Sequence, residues 1–384
     1  MRGKREKSAV CRWSVVVIMG IGITISVMRP VLAEDRNLSE LIEALRDEDA
    51  NMAAHAARLL GERGAEAEAA VPWLIEALVD DRRVPHRSND FFVTSTVASH
   101  AAEALAEIGP AATAALVKVL DEVEDDEIRR LAIQAIHDMG HAGEPAAPAL
   151  LKIMQEDNAS HQVAAMRALL EVAHNPGRYA DVFRERLKDP VPAIRVFALW
   201  SLADFGEAAH EAIPEIVRLL DDRESVQFRS HGELVAGSAC RALGQLGTAP
   251  QPALEKIRCL MDDDDEYLRV DAALAWARLT DKDEPALEVL SASAQSKVRG
   301  YGPAYHAVSA LEELGPQAQA ALPVVKELLK HKDDLVRVGA VEAIAAIAPD
   351  QACELLMPLC DDPDSMVREY AEKHLTRCDG DKNP

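Results

Sequence analysis

The sequence predicts an all-α chain, an α-solenoid of about ten helix pairs built on a repeat of ~33 residues. Three observations predict it. The stretch "DEIRRLAIQAIHDMG" (Asp126–Gly140) returns about two hundred residues later as "DLVRVGAVEAIAAIA" (Asp334–Ala348), with Asp, Ile or Val, Arg, two Ala and Ile at the same steps. The composition is 48% hydrophobic but only 4% aromatic, which suits helices packed through small side chains. The 384 residues also exceed the ~250–300 that one compact core holds.

With Gly140 as a phase marker, equivalent positions fall at Gly61, Gly109, Gly140, Ala173, Gly206, Gly247, Thr280, Gly315 and Ala348, at intervals of 48, 31, 33, 33, 41, 33, 35 and 33. A near-constant interval with two long steps is a repeat array with insertions. The first helix of each unit is Ala-rich, as in "VFALWSLADFG" (Val196–Gly206) and "HAVSALEELG" (His306–Gly315). Its Ala pairs, such as Ala132 with Ala135 or Ala340 with Ala343, let neighbouring helices approach closely. Gly at the phase position is expected to end the helix in the left-handed conformation, while Thr280 and Ala348 must close theirs another way. The second helix opens with Pro72, Pro148, Pro214, Pro252, Pro285 or Pro323, in the first turn where the missing N–H has no partner to lose.

Between units, Arg129, Arg195, Arg269, Arg337 and Arg368 each stand eleven residues before the phase position. Asp125, Asp265, Asp333 and Asp364 precede four of them by four residues, and Pro192 opens the helix in the fifth case. Each Asp is placed to accept from the free N–H groups of a new helix. Each Arg is placed to reach a carboxylate or carbonyl of the adjoining unit, which makes these nine residues a structural repeat ladder.

These features together resemble the HEAT-repeat superfamily, in particular its short HEAT-like (PBS-lyase-type) repeats. The resemblance rests on the Asp-x-x-x-Arg junction, the Ala-rich first helix, its terminal Gly and the Pro that follows. It covers residues 38–378 and is specific for fold, weak for function. The signature residues of tetratricopeptide and ankyrin units are absent. The array begins with a half unit at Leu38–Leu45, and the polar helix Met366–Cys378 reads as its cap. The expected organisation is a signal peptide over 1–33, a solenoid over 34–378 and a disordered tail over 379–384.

Residues 1–33 have a secretory layout: basic Arg2, Lys4, Arg5, Lys7 and Arg12, an uncharged run Trp13–Met28, then small residues at Val31 and Ala33 before Glu34. The alternative is an uncleaved anchor, although 16 residues fall short of the ~20 that span a bilayer. The expected location is periplasmic or extracellular. Without residues 1–33 the chain keeps 36 basic and 64 acidic residues, a charge of −28, which excludes a phosphate-tracking nucleic-acid binder and favours a basic protein partner. Five cysteines remain, Cys240, Cys259, Cys353, Cys360 and Cys378, and the odd number on helical patterns reads as core residues. One pairing, Cys353 with Cys378, is left open.

Departures from a repeat mark the places where function is written. The junction Arg is replaced by Ala50, Ala98, Gln162, Ala236 and Ala304. Three of these sites coincide with rewritten junctions: "DRRVPHRSNDFFVTST" (Asp81–Thr96), "DRESVQFRSHGELV" (Asp222–Val235) and "SKVRGYGPAYH" (Ser296–His306). The three belong to one edge of a solenoid and hold 5 of the 15 aromatics, with arginines beside them. Aromatics and Arg dominate interface hot spots, so the candidate partner-binding residues are Arg82, Arg83, Phe91, Phe92, Phe228, Arg229, Tyr301 and Tyr305, accompanied by Arg87 and Arg299. The competing readings are tolerated loops whose aromatics tuck back onto the repeat, and a small-ligand pocket.

No cofactor or metal site is expected. His137 and His141 have metal-compatible spacing but no third ligand at a fixed offset. The run "DDDDE" (Asp262–Glu266) lacks the alternating loop of a calcium site. A di-iron hydroxylase on HEAT-like repeats needs several His-Glu dipeptides, and only His210–Glu211 occurs. No catalytic motif for acyl or phosphoryl transfer is present. The expected function is therefore an exported, non-enzymatic scaffold that binds a protein partner through the aromatic junctions or the concave face. The alternatives are a lyase- or isomerase-like enzyme acting in the concave groove and a purely structural spacer.

Overall fold

The computed structural model describes residues 37–84, 95–228, 231–280, 282–298 and 300–380. The expected signal peptide at 1–33 and the last four residues of the expected tail lie outside the described residues.

A lone helix α1 (Leu38–Ala44) opens the array. Pairs follow: α2 (Ala50–Glu62) with α3 (Val71–Ala77), α4 (Val97–Ile108) with α5 (Pro110–Glu122), and α6 (Asp126–Asp138) with α7 (Ala147–Ile153). Next come α8 (Ala159–Val172) with α9 (Ala180–Arg186), α10 (Pro192–Asp204) with α11 (Ile213–Leu219), and α12 (Val235–Leu246) with α13 (Gln251–Leu260). The last pairs are α14 (Glu266–Leu279) with α15 (Glu284–Ser293), α16 (Pro303–Leu314) with α17 (Leu322–Leu328), and α18 (Asp334–Ile347) with α19 (Pro349–Leu356). Helix α20 (Ser365–Gly380) closes the array and runs two residues into the stretch expected to be tail. This is an all-α solenoid. Among the described residues two short antiparallel ribbons interrupt it, β1 (Arg83–Val84) with β2 (Ser95–Thr96) and β3 (Ser225–Phe228) with β4 (His231–Leu234), both at rewritten junctions.

One apolar core runs from Leu41 to Val367, because each unit covers only its neighbours and no unit has a core of its own. The first helices form a closely spaced row. A Cβ on Gly61 would lie 2.9 Å from the Ala104 Cα of the next first helix, and one on Gly244 would lie 3.0 Å from Ala275 Cα. That contact corrects the expected phase marker in the first unit. Gly61 lies inside α2 and is there for close approach, whereas Gly64, three residues on, takes the left-handed turn with φ +55°. Gly109, Gly140, Gly206, Gly247 and Gly315 have positive φ at their expected positions. Thr280 closes α14 differently, by donating its Oγ1 hydroxyl to Trp276 O at 2.9 Å.

The junction arginines hold the entering loop, the next unit, or, at Arg195 and Arg337, both. Arg195 Nη1 donates to Asp189 O (2.7 Å) and Pro190 O (3.2 Å), Arg269 Nη1 to Asp263 O (2.6 Å), Arg337 Nη1 to His331 O (2.9 Å) and Arg368 Nη1 to Asp362 O (2.6 Å). In each case the acceptor is the loop that enters the same helix. The rest of the fork crosses to the next unit: Arg129 to Glu156 at 2.7 Å, Arg195 to Asp222 at 2.9 Å, and Arg337 to Asp362 at 2.8 Å. Asp125, Asp265, Asp333 and Asp364 cap the helices that follow them through the N–H groups of Glu127, Tyr267, Leu335 and Met366.

At Gln162, Ala236 and Ala304, where the Arg is missing, another donor takes its place. Gln162 Nε2 donates to Glu156 O, Arg223 reaches Asp263 at 2.7 Å, and the Gly300 N–H reaches Asp333 at 2.8 Å. Cys353 is disulfide-bonded, which corrects its reading as a plain core residue; the side chain of Cys378, with which a pairing was left open, lies outside the described residues. Cys240, Cys259 and Cys360 are free.

Arg337 and Asp362 are 11% and 7% exposed, so removing one leaves the other buried and unpaired. The change Arg337→Ala is expected to destabilise the C-terminal units by about 3 kcal/mol, read as a lower urea midpoint and faster amide exchange in α18 and α20. Arg130→Ala, which breaks a solvated pair with Glu127, is expected to cost at most about 0.5 kcal/mol.

Candidate functional site

The sequence-derived partner residues are placed unequally. Arg82 is committed within the chain: Nη1 donates to Asp47 O (2.9 Å) and Glu48 O (2.8 Å), and Nη2 to Asp80 (2.6 Å). It clamps the first junction as the ladder arginines clamp theirs. Arg83 is exposed on β1. Arg87, Phe91, Phe92, Arg229 and Arg299 lie outside the described residues, and so does the side chain of Phe228 at the end of β3. Tyr301 is 52% exposed and meets Tyr305 edge-to-face with ring centroids 5.2 Å apart. These two are brought together, while the β1–β2 junction stands apart from the other two along the array.

The second and third rewritten junctions border a feature the sequence reading missed. A cavity of about 380 Å³ opens on the first-helix row between α10, α12, α14 and α16. Trp200, Ala203 and Asp204 line it from α10, Gly237, Arg241 and Gln245 from α12, Tyr267, Leu268 and Asp271 from α14, and His306 from α16. Strand β4 adds Glu233 and Leu234, because the β3–β4 ribbon leads straight into α12. The third junction adds its own tie, with the Tyr267 hydroxyl donating to Tyr301 O at 3.3 Å.

The centre of the site is Asp271, 4% exposed in the middle of a packed helix. Its Oδ1 lies 2.9 Å from His306 Nε2 and accepts from Arg241 Nη1 at 3.3 Å. Gly237 makes room for it, since a Cβ there would lie 2.5 Å from Asp271 Oδ2. Arg241 continues to Glu313 at 3.1 Å, and Arg278 binds the other oxygen of Glu313 at 2.7 Å. Glu233 accepts the Ser238 hydroxyl, and Asp204 accepts the Gln245 amide at 2.8 Å.

Burial pushes the Asp271 carboxyl up, but the charge and hydrogen bonds of His306 and Arg241 outweigh it and hold it below the usual range. Burial likewise opposes the His306 cation, yet Asp271 raises it above its ordinary 6.5. Glu233 is raised, first by burial and further by the Asp271 charge despite its Ser238 hydrogen bond.

A signal for this site exists in the sequence. Ser238, Asp271 and His306 each stand two residues after the junction position (Ala236, Arg269, Ala304), so they are one repeat position in three consecutive units. In other units that position carries Leu131, Ala164, Phe197 or Gly339, and His100 pairs with Glu103 on its own helix. A column-by-column comparison of units, not a search for motifs, exposes it.

Among the described residues no group of three or more His, Cys, Asp and Glu could hold a metal ion. His137 pairs with Asp138 at 2.9 Å while His141 stacks on His174, and in the acidic run Asp263 and Asp265 are taken by Arg223 and by helix capping. No described helix is long and apolar enough to cross a membrane.

Comparisons with known proteins agree with the architecture. The HEAT-repeat family model matches residues 147–233 and 303–376. Among solved structures, yeast importin-beta (Kap95p) aligns over 88% of this chain and 50% of its own, with 13% identity and a TM-score of 0.50. The chain thus spans about half of that relative, and the likeness shows the fold alone. An engineered protein aligns over 91% and 99% at 22% identity and a TM-score of 0.39. The phycocyanin lyase complex of CpcE and CpcF from Nostoc sp. PCC7120 aligns over 71% and 99% at 17% and 0.31. No curated protein matches the sequence. Repeat pattern, fold and family match define the class: the chain is an all-α solenoid that carries HEAT repeats over residues 147–233 and 303–376.

The Asp271–His306 pair makes stability depend on pH. The raised His306 pKa means its contribution is complete below about pH 6.5 and is lost as pH rises through the raised value; the lowered Asp271 pKa means its contribution is lost only as pH falls below 3.8. The groups facing the pair are Arg241, Glu233 and Glu313. Urea unfolding is expected to show a midpoint that declines from pH 6.5 to 9, and His306→Gln is expected to flatten that decline. Equal slopes in both proteins would remove His306 as its source.

Proposed function

We propose that this chain is an exported scaffold that binds another protein on the first-helix face between α10 and α18, with the second and third rewritten junctions as the rims of that site. The observation that carries the reading is the convergence of these two junctions on one cavity. Each interrupts the ladder, at Ala236 and Ala304, and each places side chains beside the same buried network. Scaffolding is what an uninterrupted solenoid offers, an extended surface without a closed active site. Export rests on the basic–apolar–small pattern of residues 1–33 and is supported by the disulfide at Cys353, a bond that persists in oxidising compartments.

The cavity also favours one alternative, an enzyme of the lyase or isomerase kind with Asp271 and His306 as its acid–base pair. Against it, both groups are already engaged with each other, and Asp271 is held by Arg241 as well. A small molecule co-purifying with the protein and released on denaturation would favour the enzyme.

The deciding experiment is crosslink mapping with the exported protein fraction, using full-length protein processed by its own host. The mature N-terminus is expected at Glu34. Partner crosslinks are expected on α10 to α18 and the β3–β4 ribbon, and the double variant Phe228→Ala, Tyr301→Ala is expected to capture at least tenfold less partner at unchanged helicity. Equal capture by the variant would move the interface elsewhere, and crosslinks confined to the second helices would overturn the reading.

A further inference from the structure

The charges around the cavity are unevenly matched. Both cations of the site are held by carboxylates, Arg241 by Asp271 and Glu313 and His306 by Asp271. Two other carboxylates lining the cavity have only neutral hydrogen-bond donors among the described residues: Glu233 has the Ser238 hydroxyl and Asp204 the Gln245 amide. Two aromatic side chains, Trp200 and Tyr267, line the same cavity with apolar Ala203, Leu234 and Leu268. Aromatic faces with carboxylates at the edge are the surroundings a desolvated cation requires. A planar guanidinium uses both, stacking on rings while its fork meets a carboxylate, which a compact ammonium does less well.

We propose that the cavity receives the side chain of an arginine presented by the partner protein, its guanidinium beside Trp200 and Tyr267 and paired with Glu233 and Asp204. The inference rests on the protein-binding reading and names what that partner presents. The volume of about 380 Å³ admits one long side chain but no folded element. The aliphatic stem has Leu234 and Leu268 to lie against. A cation here also relieves the burial of Glu233, which the Ser238 hydroxyl and the charges of Arg241 and His306 do not fully offset. The solenoid's net negative charge draws a basic segment to this face before any contact forms.

The test titrates the purified full chain with capped Gly-Arg-Gly peptide, following tryptophan fluorescence and heat, alongside the same peptide with Lys, with citrulline, and free agmatine. The Arg peptide is expected to bind, the Lys peptide at least threefold and the citrulline peptide at least tenfold more weakly. Glu233→Gln and Asp204→Asn are each expected to weaken the Arg peptide at least fivefold, while Glu255→Gln, on α13, leaves it unchanged. Because Asp204 is exposed, its variant stays informative if Glu233→Gln disturbs folding.

Equal binding of Arg and citrulline peptides, or no binding, overturns the inference. Agmatine binding as tightly as the peptide overturns the assignment to a protein side chain in favour of a free guanidine. Partner crosslinks on this face without Arg-peptide binding would sink the pocket and leave the scaffold standing. Peptide binding without partner crosslinks would do the reverse.

Discussion

The structure depends on the double grip of the junction arginine. One edge of the guanidinium binds carbonyls of the loop that enters its own helix, and the other binds a carboxylate of the next unit, as Arg195 and Arg337 do. A repeat has no core of its own, so its orientation on its neighbour is set by packing and by whatever fixes the turn between them. Ala-rich first helices pack closely but slide easily, having few protruding side chains to interlock. A bidentate, partly buried pair supplies the direction that small side chains do not.

The grip explains why the chain tolerates its own irregularities. Where Ala236 and Ala304 replace the arginine, Arg223 and the Gly300 N–H take over the carboxylates of the following units. The loops that carry these substitute donors are the rewritten junctions. Their extra residues thus serve structure at the base, and β4 delivers Glu233 to the cavity wall. One insertion repairs the ladder and builds the site.

Much of the architecture was legible because each repeat states it again. Proline at the second residue of α3, α7, α11, α13, α15 and α17 and glycine at most first-helix ends follow from backbone sterics that act locally. Gly61 misled because a glycine can serve either a turn or a close approach, and only the position of Ala104 across the groove distinguishes them. The ribbon β3–β4 was read only as a lengthened junction, since its pairing is a property of the loop's closure. None of the aromatic and Arg candidates lines the cavity; Tyr301 meets its rim only through the carbonyl that accepts from Tyr267. Asp271, His306 and Arg241 lie 30 to 35 residues apart and meet only because the repeat stacks equivalent positions.

The repeat itself supplies the argument that this centre is not there for stability. Leu131 and Phe197 occupy the Asp271 position in other units and contribute burial without a desolvation penalty. A buried Asp held by His and Arg must first recover its desolvation cost, and a well-packed apolar residue in such a place often serves the fold as well. Room for the carboxylate also requires Gly237, a residue unfavourable in mid-helix. Apart from His100, which pairs on its own helix, the chain departs from small or apolar residues at this position in three consecutive units, where the ladder is also interrupted twice. The polar column of Ser238, Asp271 and His306 is therefore the part of the molecule whose chemistry the fold alone does not require.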